Sequence, residues 1–176
     1  MTLTRCFDAA YPPPTVPAGA GAVLGYIGRD HLDEDFHIWT PAEWRPFARL
    51  RQFPAWVCNT SKSPRDSASA AYAAMRQLGW RQHRALVFDM EAVVDPPWVR
   101  AFEAETVALG PVPVAYESES VIGQNGATRV WAALWDGRPV LQGGWWAKQY
   151  MSGGGLDWSV VSPELLANGG QGMRLQ

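Results

Sequence analysis

The sequence predicts a compact α/β barrel of the TIM type in a single domain, residues 1–176, on three observations. Apolar, β-rich runs recur along the whole chain, and through the first two thirds they alternate with helical patterns, the mark of β-α units around a parallel sheet. About eight strands and three to five helices fit in 176 residues, whereas a complete (β/α)8 barrel needs ~250 residues. A barrel that is β/α early and has shed helices late accommodates all three.

The strand runs are 4–9, 22–27, 54–59, 85–91, 112–116, 129–135 and 140–150. Between the second and third, Thr40-Pro41-Ala42-Glu43 has capping-box spacing with Pro at the first helical position. Ser63-Pro64-Arg65-Asp66 opens an Ala-rich helix to Leu78 in the same way, and Gly79 suits its stop. A third helix runs from Asp95-Pro96-Pro97-Trp98 to Leu109, ended by Gly110-Pro111. Beyond residue 120 the chain holds 11 of its 17 glycines, so strands there follow one another through turns such as Asp136-Gly137 and Gly153-Gly154-Gly155. The last helical pattern is 163–166.

Composition narrows the function classes. With 47% apolar residues and a net charge of -2, long disorder is not expected. The 13 Arg are scattered, which argues against nucleic acid as the main partner, and no stretch approaches the ~20 apolar residues of a membrane helix. Residues 1–10 carry Arg5 and Asp8 and lack an apolar core, so no secretory signal is read and synthesis in the cytoplasm is expected. Cys6 and Cys58 read as small buried hydrophobes rather than a disulfide or zinc pair. The acidic run 29–37, with His31 and His37, lacks EF-hand or zincin spacing and reads as a solvated rim loop; no metal and no cofactor is expected. His83 reads as a surface residue, and no nucleophile elbow or Walker loop is present. Ten Trp and five Tyr hint at planar faces for sugar rings without deciding it, and oligomeric state is left open.

The chemistry centres on Leu86-Val87-Phe88-Asp89-Met90-Glu91, a buried-type strand ending in two carboxylates. Residues i and i+2 share a face, so Asp89 and Glu91 project together at a carboxyl strand end, where barrel active sites lie. Two carboxylates in a partly desolvated cleft do not both ionise easily, so one is driven toward a general acid; the alternative is a strand end reaching solvent. Asp8 closes the first strand similarly, with an N-cap or turn as the alternative, and Asp157 reads first as a turn residue after Gly155.

Phe7-Asp8, Asp89-x-Glu91, Pro113-x-x-Tyr116, Trp131-x-Ala133 and Gln149-Tyr150 followed by Asp157 occur in order over nearly the whole chain. The set resembles the glycoside hydrolase family 25 lysozymes, and more closely the related DUF1906 glycoside-hydrolase-like group. That resemblance implies a flattened (β/α)5β3 barrel and a peptidoglycan muramidase acting at the bacterial cell wall. It implies Glu91 as general acid, Asp89 as the carboxylate orienting the reacting centre, and Asp8 and Asp157 as flanking acids. Tyr116 and Tyr150 match aromatic groove positions, and Tyr11, Tyr26, Trp56 and Trp131 join them as candidate sugar contacts near predicted strand ends. The chain departs from the family pattern at Ala9-Ala10-Tyr11-Pro12 and at Lys148, which stands where the family has Trp. Two further readings stand beside the muramidase: a barrel that binds glycan as a structural or envelope module without cutting it, and a glycosidase for another polymer.

Overall fold

A computed structural model describes residues 3–30, 37–80, 84–90 and 94–168. Its eight strands are β1 (Thr4–Asp8), β2 (Ala22–Arg29), β3 (Arg51–Val57), β4 (Ala85–Asp89), β5 (Val112–Ser118), β6 (Val130–Ala133), β7 (Trp145–Gly153) and β8 (Leu156–Val161). They form one closed barrel in sequence order. Pairing is parallel from β1 through β7, and β8 closes the ring antiparallel to both β7 and β1. The antiparallel step follows from the chain: Gly154 and Gly155 adopt φ of 66° and 77°, a left-handed pair that turns β7 straight back into β8.

The helices are α1 (Pro41–Trp44), α2 (Pro64–Gln77), α3 (Pro96–Leu109) and α4 (Pro163–Asn168). Ser63 and Asp95 cap α2 and α3 through bonds of 3.1 Å from the Asp66 and Trp98 amides. The capping box expected at Thr40 is present, but its helix stops after one turn and passes into a 3-10 turn at Arg45–Phe47, because Pro46 brings no amide to an α-helical ladder. Helices cover only the crossovers after β2, β3 and β4; the connections after β1 and β5, where a (β/α)5 pattern has helices, carry none.

Several boundaries differ from the sequence reading. Run 54–59 belongs to β3, which starts at Arg51 and ends at Val57. Run 140–150 becomes a strand only at Trp145, because a turn with Gly144 at φ 88° precedes it. Run 129–135 leaves the ladder after Ala133. The segment read as a turn at Asp157 is inside β8, paired with both neighbours.

Alternation along the strands sorts side chains into two clusters. Inside the barrel lie Cys6, Leu24, Phe53, Val87, Val114, Trp131, Ala147 and Val161 among others. Outside it, between wall and helices, lie Phe7, Trp39, Trp44, Phe47, Trp56, Trp80, Phe88, Trp98 and Phe102. The rings interlock edge to face, with Trp44 and Trp80 centroids 4.9 Å apart at 80° and Phe7 and Phe47 5.4 Å apart at 65°. Most of the tryptophan surplus is therefore core: short crossovers leave a gap that wide rings fill. Cys6 and Cys58 are buried free thiols, as expected. Among the described residues no helix is long and apolar enough to cross a membrane.

Candidate active site

The parallel strands β1–β7 all deliver their carboxyl ends to one mouth, and β8 enters the wall from that same end. Asp8 is the last residue of β1, two past the inward-facing Cys6, and it is buried at 5% exposure. Asp157 is the second residue of β8, two before the buried Ser159. The two acids are direct partners across the antiparallel β1–β8 seam. Like charges directly opposite in an antiparallel pair are, taken by themselves, destabilising. The Asp8 charge also acts on its neighbour: burial first, then Asp8, pushes the Cys6 thiol well up from its ordinary value.

Asp89 ends β4 two residues past the interior Val87, and it is partly buried. Its strand partners are Val57 of β3 and Tyr116 of β5, and Val57 in turn pairs with Arg29 of β2. Partners in a parallel sheet share a face, so Arg29, Asp89 and Tyr116 stand on one inward row. Glu91 lies outside the described residues, as do His31 and residues 32–36 of the acidic loop, and His83.

The structure separates the aromatic candidates. Tyr116 is inward and buried, and its hydroxyl donates to Gln149 Oε1. Trp131 is also inward, but it has no exposed surface; it packs on Phe53 and donates through Nε1 to Ser159 Oγ at 3.0 Å. It plugs the barrel beneath the mouth, because its ring fills space that the small Ala55, Ala85 and Ala147 leave. Trp56 and Tyr150 belong to the outer cluster, so neither is brought to the inner face; for Trp56 the strand alternation that turns Ala55 inward sends the next residue out. Tyr26 packs against the interior cluster. Tyr11, just past β1, is 67% exposed and stacks on His37 at 4.8 Å.

Several residues of this end were not among the candidate site residues read from the sequence. Gln149 is fully buried on β7, and its Nε2 has no hydrogen-bond partner among the described residues, which leaves an amide donor beside Tyr116. Its place in the Gln149-Tyr150 pair was the available signal. Asp30 follows β2 as a further strand-end carboxylate, but a register shift between Tyr26 and Gly28 turns it outward. There it accepts from Ser67 Oγ of α2 and from the Asn59 amide at 3.1 Å, with Lys62 Nζ at 3.5 Å. It ties β2 to α2 rather than joining the mouth. Trp135, two residues beyond β6, is 53% exposed.

No family model matches the chain, and no curated protein matches it in sequence. Solved structures do match in fold. An uncharacterized protein of B. stearothermophilus superposes with a TM-score of 0.75 at 16% identity, over 95% of this chain and 100% of its own. The catalytic domain of an endolysin from a Listeria monocytogenes bacteriophage gives 0.70 at 16%, over 94% and 96%. A glycosyl hydrolase 25 of Streptococcus pneumoniae, described as a virulence factor, gives 0.67 at 13%, over 94% and 90%. The barrel is thus of the kind found in an endolysin catalytic domain and a glycosyl hydrolase 25, while the closer likeness to the DUF1906 group rests on the sequence motifs alone.

Proposed function

We propose that this chain is a glycoside hydrolase of bacterial cell-wall peptidoglycan, a muramidase that cuts the β-1,4 bond between N-acetylmuramic acid and N-acetylglucosamine. The observation that carries the reading is the set of acids at one barrel mouth: Asp8 facing Asp157 across the β1–β8 seam, with Asp89 at the inner end of β4. The endolysin and glycosyl hydrolase 25 neighbours support the same class.

Cleavage of a glycosidic bond passes through an oxocarbenium-like transition state, which needs a proton on the leaving oxygen and negative charge near the sugar ring. In this reading Glu91 donates the proton. Asp89 holds the reacting sugar, either directly or by orienting its acetamido group, and Asp8 and Asp157 supply the flanking field. Tyr116 and Gln149 lie on the inner wall, where the Tyr116 hydroxyl donates to Gln149 Oε1. Tyr11 and Tyr26 stand as further contacts; Trp56, Trp131 and Tyr150 serve packing instead.

The test is release of soluble fragments from purified peptidoglycan by the wild type and by Asp89→Asn, Asp8→Asn and Glu91→Gln, with co-sedimentation on insoluble wall measured in parallel. The wild type is expected to release fragments, with losses of ~10²-fold or more in Glu91→Gln and unchanged melting. A folded wild type that sediments with the wall but releases nothing replaces hydrolysis with the glycan-binding module; cleavage of chitin or another polymer alone moves the substrate.

A further inference from the structure

Among the described residues, Tyr11 and Trp135 are the aromatic side chains that stand mainly in solvent, and Trp135 is fastened in an unusual way. Trp131 and Ala133 of β6 face the barrel interior, and Trp135 stands two residues past the carboxyl end of β6, the end that reaches the mouth, where the Asp136 amide bonds back to the Leu134 carbonyl at 2.9 Å and turns the chain. On the outer face of β7, Lys148 is buried at 1% exposure, and all three of its ammonium hydrogens have acceptors: Asp136 Oδ1 at 2.7 Å, Asp136 Oδ2 at 2.8 Å and the Arg138 carbonyl at 3.1 Å. Backbone bonds fix the segment on either side, from the Leu134 amide to the Gln149 carbonyl at 3.0 Å and from the Gly137 amide to the Tyr150 carbonyl at 2.9 Å. Burying a lysine is unfavourable unless it is paired, and here its pairing clamps the residue next to an indole that has half its surface in water. Free rotation of such a loop would cost binding entropy each time a ligand landed; the clamp removes that cost beforehand.

We propose that Trp135 is a sugar-stacking platform of this mouth and that Lys148, acting through Asp136, is the positioning residue that aims it. The ligand class is a pyranose ring of a glycan strand, whose apolar C–H face fits an indole. The inference rests on the glycosidase reading and adds to it a subsite and the residue that organises it.

The experiment compares wild type, Trp135→Ala, Lys148→Met and the double variant on soluble uncrosslinked glycan strands, with KM and kcat resolved. Trp135→Ala is expected to raise KM roughly tenfold, the order of one aromatic stacking contact, with kcat within about twofold. Lys148→Met is expected to raise KM in the same direction alone and to add nothing in the Trp135→Ala background, a non-additivity that general loosening of the fold does not produce. Asp136→Asn, at a solvent-reached position, gives the same direction of change if Lys148→Met does not fold. Unchanged KM in folded Trp135→Ala overturns the platform, and an equal Lys148→Met effect in both backgrounds overturns the positioning role. If the wild type binds strands without cutting, the same series is read as Kd. A wild type that neither binds nor cuts removes the parent reading and this one together.

Discussion

Gly28→Ala tests which side of the barrel wall Trp56 serves. A Cβ at residue 28 would stand 2.2 Å from Trp56 Cζ3, with Cε3 and Cη2 at 2.8 Å and 3.0 Å, where carbon atoms in contact settle at ~3.5–4.0 Å. The indole would have to retreat by ~1.3 Å, yet Trp56 is only 6% exposed and belongs to the packed outer cluster. Overpacking of this kind costs ~1–3 kcal/mol. The backbone at Gly28 is outside the left-handed region, so alanine is not strained there and recovers ~0.4–1 kcal/mol from the unfolded chain. The net expectation is a destabilisation of ~1–2 kcal/mol, or a fall in Tm of roughly 2–8 °C. Urea and thermal unfolding followed by circular dichroism measure it, with Gly143→Ala as the control, since no atom lies within 4 Å of a Cβ there. The clash is with the benzo ring of the indole, so in a Trp56→Phe background the cost of Gly28→Ala is expected to shrink by ~1 kcal/mol. Equal cost in both backgrounds, or a Gly28→Ala variant as stable as the control, would refute the placement of Trp56 in the outer core and restore it as a groove candidate.

Trp131→Phe is expected to destabilise by at least the ~1–3 kcal/mol of a stranded polar group, because Ser159 is fully buried and loses its indole donor; Ser159→Ala added to Trp131→Phe recovers part of it, read as urea midpoints. Glu117, buried on the outer face of β5, has its carboxyl raised first by burial and further by Glu103 of α3, against bonds from the Gly123 amide and Asn125 that lower it. A raised folded-state carboxyl contributes stability that is present below the ordinary glutamate range and lost as pH rises through the folded value. Glu117→Gln removes that titration, so the variant gains on the wild type as pH rises above the ordinary glutamate range, and parallel stability profiles would contradict the assignment.

The barrel was legible in the sequence because its signals are local. Capping residues at Ser63 and Asp95, the stop at Gly110 with φ 113°, and apolar runs of strand length each act within a few residues; the caps and the stop agree with the observed elements, and each run overlaps an observed strand. Asp8 and Asp89 were placed at carboxyl strand ends for the same reason: each ends an apolar strand. What failed depends on pairing between distant segments. Asp157 after three glycines looks like a turn, and only its partnership with Asp8, nearly 150 residues away in the chain, makes it part of a strand. Asp30 repeats the strand-end pattern of Asp8, but one extra residue in β2 sends it to the other face. Two of the aromatic candidates, Trp56 and Tyr150, take the outer face, while Tyr26, Tyr116 and Trp131 take the inner one. Trp56 and Tyr150 sit near the mouth along the chain, yet the face each takes depends on strand phase and on the β7 irregularity between Gln149 and Met151. Trp135 escaped notice because its run was read as strand to its end, and the Lys148 that secures it looked only like a departure from a motif.

The measurement that bears most directly on the central claim is the identity of the new chain ends. Peptidoglycan digested by the wild type and by Glu91→Gln would be reduced with borohydride and the products read by mass spectrometry. Soluble fragments ending in reduced N-acetylmuramic acid with the wild type, and none with the folded variant, are the predicted result. Ends on reduced N-acetylglucosamine, or the same products from both proteins, would contradict a muramidase that works through these mouth carboxylates.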